Sequence, residues 1–176
     1  MKRILVVLLT LTGLAAAAAA VAASFFVTKM RSRDPRFLKK FTEIQRDYLN
    51  PEVLKNAGTP GQRTAVIETI GRTSGAAYET PISPVRDDEG WSVALVYGRD
   101  TAWAKNAMAA GEAVLRIDGE RHRVDQIEIV PIADTILASD QEQVVKFFKL
   151  EDAVRLHDAG VIEDATLPEE PAPVEG

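Results

Sequence analysis

The pattern of apolar and polar positions changes twice along the chain. Residues 4–28 read ILVVLLTLTGLAAAAAAVAASFFVT, with no charge until Lys29. A helix of that length, rising about 1.5 Å per residue, reaches across a hydrocarbon core of roughly 30 Å. From Asp34 the period is helical. Asp34 is suited to cap a helix and Pro35 to open it. Phe37, Phe41, Ile44 and Tyr48 then fall on one stripe, with Leu38 and Leu49 beside it. Asn50-Pro51 repeats the start signal, and Gly58 is placed to end that second short helix.

From Thr64 the period falls to two. TAVIETI reads as a strand, and YETPISPVR as another that Pro81 and Pro84 confine to an edge or a bulge. Asp87 to Gly90 makes a connection. WSVALVY follows, with Trp91, Val93, Leu95 and Tyr97 on one face. A helix comes next, capped by Asp100 or Thr101 and stopped by Gly111. EAVLRI and ERHRVDQIEIV flank Asp118-Gly119, a strong two-residue hairpin signal, with a phase slip near Asp125 that predicts a bulge. Ser139 and Glu142 make a capping-box pattern for a late helix. Five short strands, hairpin links and flanking helices predict a small, mainly antiparallel β-barrel. The organisation expected is an apolar segment over 1–28, a basic helical flank over 29–58, a barrel over 64–158, and a disordered acidic tail over 159–176.

Charge sharpens the first segment. From Lys29 to Arg63 there are nine Lys/Arg against four Asp/Glu, and from Glu151 to Gly176 eight Asp/Glu against one Arg. One reading of the start is a single-pass transmembrane helix. The other is a signal peptide cleaved before Ser24, which would yield a secreted protein. The apolar run continues past Ala23 through Phe25, Phe26 and Val27, and six cations follow between Lys29 and Lys40. Both features favour the anchor, with the barrel on the cytoplasmic side. The chain has no Cys and only two His, His122 and His157, which argues against disulfides, thiolate chemistry and a His- or Cys-based metal site. No overall basicity points to nucleic acid.

Candidate chemistry concentrates in IGRTSGAAYETPI, residues 70–82. Gly71 and Gly75 bracket Arg72, Thr73 and Ser74. Glycines allow close approach to the backbone, Arg supplies a fork of donors, and successive amides can converge on an anion. The loop is suited to a phosphate or carboxylate, or else is a polar turn between strands. It is neither a P-loop nor a GxGxxG motif.

GRTSGAAYETP, the later YGRDTAWAKNAMAAG, the Asp-Gly hairpin and KFFKLEDAVRLH together resemble the deazaflavin-dependent nitroreductase family, which includes the coenzyme F-420-dependent quinone reductases. The resemblance covers Arg33 to Asp158 and implies a split β-barrel similar to FMN-binding barrels. It implies hydride transfer from reduced F-420 to a small electron-poor acceptor, a quinone or nitro-type compound. Arg72, Thr73, Ser74 and Gly75 would contact the coenzyme phosphate, and Thr80 and Pro81 would shape the neighbouring strand. Tyr97, Gly98, Arg99, Thr101, Trp103 and Asn106 would line the ring pocket. Relatives often carry basic residues where Thr73 and Ala76 stand and an Asp where Ala102 stands, which thins the positive charge around the coenzyme's tail. No proton donor is implied. Two other readings keep the barrel: FMN in place of F-420, or a non-catalytic barrel that binds a lipid, small ligand or partner. Read from the residues alone, Trp103 is core or ring wall, Arg99 a solvated charge, Tyr97 a barrel plug, and His122 solvent-exposed.

Overall fold

The computed structural model describes residues 2–163, with backbone only for 2–15. Residues 164–176, most of the expected acidic tail, lie outside the described residues.

Helix α1 (Lys2–Arg31) comes first. Its described side chains begin in an alanine run and end among Thr28, Lys29 and Arg31. Alanine is only weakly apolar, and among the described residues no helix is long and apolar enough to cross a membrane. The single-pass anchor is therefore not supported. A tight turn follows, with Arg33 at φ 50°. Asp34 then caps α2 (Pro35–Ile44) as expected, its carboxylate accepting from the amides of Arg36 and Phe37. A π-helical turn over Gln45–Leu49 leads directly into α3 (Asn50–Leu54), so Asn50-Pro51 interrupts the helical bonding without starting a freshly capped helix. α2, the π-turn and α3 contain no buried residue.

Seven antiparallel strands form one sheet: β1 (Ala65–Ile70), β2 (Ala77–Ile82), β3 (Val85–Arg86), β4 (Gly90–Ala94), β5 (Glu112–Ile117), β6 (Glu120–Pro131) and β7 (Asp152–Val161). Their order is β2-β1-β5-β6-β7-β4-β3. β2 and β3 stand at opposite edges, yet only Ser83 and Pro84 separate them in sequence. Three Cα–Cα steps span at most about 11 Å, so the sheet must curl until its edges nearly meet. The result is a curled half-barrel with flanking helices. Pro81 is accommodated because β2 is an edge strand.

The β5–β6 turn has Asp118 at φ 52° and Gly119 at φ 86°, the paired positive angles that an Asp-Gly hairpin turn requires. The expected bulge in β6 is present: register shifts between Asp125 and Glu128, and Gln126 sits at φ 45°. Two expectations fail. Ser139 and Glu142 form no capping box; Ser139 lies inside the short α5 (Leu137–Asp140), its hydroxyl donating to the Ile136 carbonyl, and Glu142 opens α6 (Glu142–Phe148). β7, unforeseen as a strand, lies between β6 and β4 and takes in residues 159–161, which composition had placed in the tail.

The interior is filled from both sides of the chain's middle. Ala65, Ile67, Trp91, Val93, Leu95, Leu115, Val124, Val154 and Leu156 meet Trp103, Ala104 and Ala107 of α4 (Ala102–Ala110). Each large side chain fully buried there contributes about 1.5–3 kcal/mol. α4 stops where Gly111 takes the left-handed conformation, φ 78°, and drops the chain into β5. α4 and the β1–β2 connection are thereby held side by side.

Candidate functional site

The Gly71–Ala76 connection closes on itself. The Gly71 amide donates to Ala76 O at 2.8 Å, and the Gly75 amide to Gly71 O at 2.8 Å. Gly75 needs φ +68°, and a Cβ there would meet open space. At Gly71 a Cβ would stand 2.5 Å from Ser74 Oγ and 2.6 Å from Tyr78 Cε2, so those exposed side chains would have to shift. Ser74 Oγ accepts from the Ala76 amide at 3.3 Å and lies 3.2 Å from Tyr78 Oη. Arg72, Thr73, Ser74 and Gly75 are exposed together at the tip. Thr80 and Pro81 follow in β2, opposite Ile67 and Val66, half-buried beside the loop.

Arg72 is anchored from α4. Asn106, 7% exposed, uses one oxygen twice: Oδ1 accepts from the Arg72 amide at 3.3 Å and from Arg72 Nη1 at 2.9 Å. Among the described residues the remaining guanidinium donors have no acceptor. Arg72 is also the only cation between Gly71 and Ala76. The tip thus presents one aimed guanidinium, two hydroxyls and exposed backbone, a set that suits a singly charged phosphate group.

The second group of candidates forms one turn. The Gly98 amide donates to Leu95 O at 2.9 Å, and Thr101 Oγ1 donates to Gly98 O at 2.7 Å. That hydroxyl bond replaces the capping bond expected of Thr101, which makes no side-chain cap on α4. Gly98 sits at φ +87°, with Arg33 Nη1 3.1 Å from where a Cβ would be. Tyr97 stacks at a tilt on Phe41, centroids 6.0 Å apart. Burial pushes its phenol upward, while a hydrogen bond with Gln45 works against that shift.

The remaining candidates are dispersed. Trp103 is packed in the core at 7% exposure and takes the core reading. Arg99 is mostly exposed but pairs with Asp152 at 3.1 Å, so it is held against β7. His122 is not solvent-exposed. Its side chain is 11% exposed, and its ring meets Trp91 edge-on at 4.9 Å. Nδ1 lies 3.2 Å from Asp158 Oδ1, and Nε2 lies 3.3 Å from Glu120 Oε2. Three groups near the site escaped the sequence reading. Phe41 and Gln45 reach Tyr97 from the preceding helices, and Arg33 reaches Gly98. Phe41 was visible as part of a helical stripe; nothing in the sequence marked what the stripe would cover.

These residues fit a coenzyme with a phosphate-bearing tail and a polar ring. Ser74 and Tyr78 fold over Gly71, while the Arg72 fork is held open. Two polar atoms near these loops, Thr69 Oγ1 and Arg33 Nη2, are buried without a hydrogen-bond partner. Buried donors and acceptors are rarely left unsatisfied. Among the described residues no cluster of His, Asp or Glu is arranged to hold a metal.

Among curated proteins none matches the chain. Among solved structures, the crystal structure of Atu2129 from Agrobacterium tumefaciens str. C58, described as of unknown function, is similar over 68% of this chain at 17% identity and a TM-score of 0.41. That match spans 57% of the other protein, so the chain covers little more than half its length. The family described as F420H(2)-dependent quinone reductase matches residues 38–142, a stretch that holds the glycine-bracketed loop, the Tyr97–Thr101 turn and Asn106, and the chain belongs to that family.

Proposed function

We propose that the protein binds coenzyme F-420 between the Gly71–Gly75 loop and the Tyr97–Thr101 turn and reduces a small electron-poor acceptor, a quinone or nitro-type compound. When bound, the reduced deazaflavin supplies the hydride. The chain's own residues bind and orient. Arg72, Thr73 and Ser74 would hold the phosphate through the guanidinium and hydroxyls. Gly75 leaves the approach to that phosphate open, and Thr80 and Pro81 wall the adjoining strand. Tyr97, Gly98 and Thr101 would line the ring, with Phe41 excluding water behind Tyr97. The observation that carries this reading is the exposed Arg72 guanidinium, fixed by Asn106 with its other donors unused.

Titration of the full-length protein with F-420, followed by coenzyme fluorescence, tests it. Arg72→Ala is expected to weaken binding about ten- to hundredfold, the loss of one charge-assisted contact of roughly 1.5–3 kcal/mol. Arg72→Lys should recover only part, because an ammonium lacks the bidentate fork. No wild-type binding at tens of micromolar, or preferential binding of FMN, would sink the reading.

Contact with a membrane fits the same picture as an in-plane one. Phe25, Phe37, Phe41 and Ile44 line a groove of about 500 Å³ between α1 and α2, together with Arg36, Lys40 and the Lys29–Asp34 pair at 2.6 Å. Phe25 is 57% exposed and Tyr48 73%. Exposed aromatic and cationic side chains on one surface suit an anionic bilayer. Flotation with phosphatidylserine-containing vesicles should carry wild type but much less of Arg36→Glu/Lys40→Glu; equal flotation of both would remove this contact.

A further inference from the structure

Asn106 was expected at the ring, yet its carbonyl oxygen is spent on a residue of the other loop. We infer that Asn106 is a positioning residue: it aims Arg72 at the coenzyme's phosphate and does not touch the ring. This rests on the reading that the Gly71–Gly75 loop holds that phosphate.

The geometry is specific. One oxygen accepts from both the main-chain amide and the side chain of Arg72, at 3.3 and 2.9 Å. The amide bond fixes where the loop starts, and the Nη1 bond fixes where the guanidinium lies. Residues 72 and 106 are joined only through the fold, the one on the β1–β2 tip and the other on the buried side of α4. α4 is rigid and packed: Trp103, Ala104 and Ala107 beside Asn106 are buried. The exposed tip therefore borrows its order from the core.

The chemistry of the acceptor matters as much as its place. A guanidinium has five N–H donors, and a neutral amide oxygen takes one while leaving the positive charge uncancelled. A carboxylate in the same place would pair with Arg72 and oppose an incoming anion. An apolar side chain would leave both Arg72 donors without their anchor. With Arg72 the only cation of the loop, such a change has no neighbour to compensate for it.

The test compares F-420 affinity, the visible absorbance of the bound coenzyme, and thermal midpoints. The proteins are wild type, Asn106→Asp, Asn106→Leu, Arg72→Ala and the Arg72→Ala/Asn106→Leu double variant. Asn106→Asp should keep the wild-type midpoint or exceed it, yet bind about tenfold more weakly or worse. Asn106→Leu should lose several-fold when Arg72 is present and less than about twofold in the Arg72→Ala background, since the two changes remove one interaction. The bound coenzyme's absorbance should be the same in wild type and Asn106→Asp, because the ring is untouched. Wild-type affinity in Asn106→Asp, an equal Asn106→Leu loss in both backgrounds, or a shifted ring absorbance would each overturn the inference while leaving the coenzyme reading intact. Failure of the wild type itself to bind would instead remove the coenzyme reading, and the positioning role with it.

Discussion

At Asp158 the balance between burial and hydrogen bonding has a measurable consequence. Burial of this carboxyl works to raise its pKa. Hydrogen bonds from the Gly160 amide, His122 and Arg86 outweigh burial and hold it below the ordinary value of 3.8. Arg86 sits 3.0 Å away and also lies over the Trp91 ring at 4.3 Å. A carboxyl whose pKa is lower when folded stabilises the fold above its unfolded pKa, and that contribution is lost as pH falls through the folded value. Asp158→Asn should therefore cost about 1–2 kcal/mol at neutral pH and progressively less below about pH 4. Urea unfolding of both proteins from pH 7 to pH 3 checks this, and a pH-independent difference would contradict it. The same cluster shows what single residues could not reveal in sequence. His122 between two arginines reads as solvated, because nothing local places a carboxylate 36 positions away. Arg72 was legible from its flanking glycines as an exposed loop cation; its anchoring by Asn106 was not, since that contact spans 34 positions and depends on α4 packing beside β1.

Elements were legible where the alternation of side chains was uninterrupted. β5 alternates cleanly between Gly111 and Asp118-Gly119, so its limits could be read directly, whereas β1 is buried at three successive positions and β6 is broken by its bulge. β7 carries the same signal, with Val154 and Leu156 buried and Arg155 and His157 less so. In sequence the signal is masked by the helical stretch before it and the acidic tail after it. Ser139 failed as a cap because α5 had already begun at Leu137. Between β4 and β7 the sheet makes an approach that only one residue type permits. A Cβ on Gly90 would lie 2.0 Å from the Leu156 carbonyl oxygen and 2.8 Å from the Asp158 amide nitrogen. Both are backbone atoms and cannot swing aside. Gly90→Ala should destabilise the protein by about 2–4 kcal/mol, as overpacking against fixed atoms does. Gly75→Ala makes the control for backbone conformation alone: it has the positive φ but open space, and should cost no more than about 1–2 kcal/mol. Thermal or denaturant unfolding distinguishes them. Gly90 has no positive φ, so a Gly90→Ala loss no larger than that of Gly75→Ala would mean that the close approach is relieved by a small shift of the chain.

Across the whole molecule, barrel-like closure was legible in kind but not in connectivity. Hairpin signals between neighbouring strands predict a meander, and a meander alone does not say which strand closes it. The length of the first apolar run predicts a membrane span, whereas among the described residues no helix is long and apolar enough to cross a membrane. Coenzyme binding offers a test at this scale. A ligand that binds only the folded state at a hundred times its Kd adds about 2.7 kcal/mol of stability. F-420 at that excess should raise the melting midpoint of wild type by several degrees. At the same concentration the rise should be clearly smaller for Arg72→Ala, and identical rises would place the coenzyme elsewhere.

The strand that completes the sheet, β7, is the last among the described residues, and it lies between β6 and β4 with both its edges paired. A ribosome building this protein releases β1 to β6 first, in an order that leaves β4 and β6 without the neighbour they share. Completion of the sheet must wait for β7 to emerge, so the nascent chain holds Trp91, Val93 and Val124 uncovered until then. Chains arrested at residue 151 should remain as protease-sensitive as an unfolded polypeptide, whereas chains carried past Val161 and clear of the exit tunnel should become resistant in a single step.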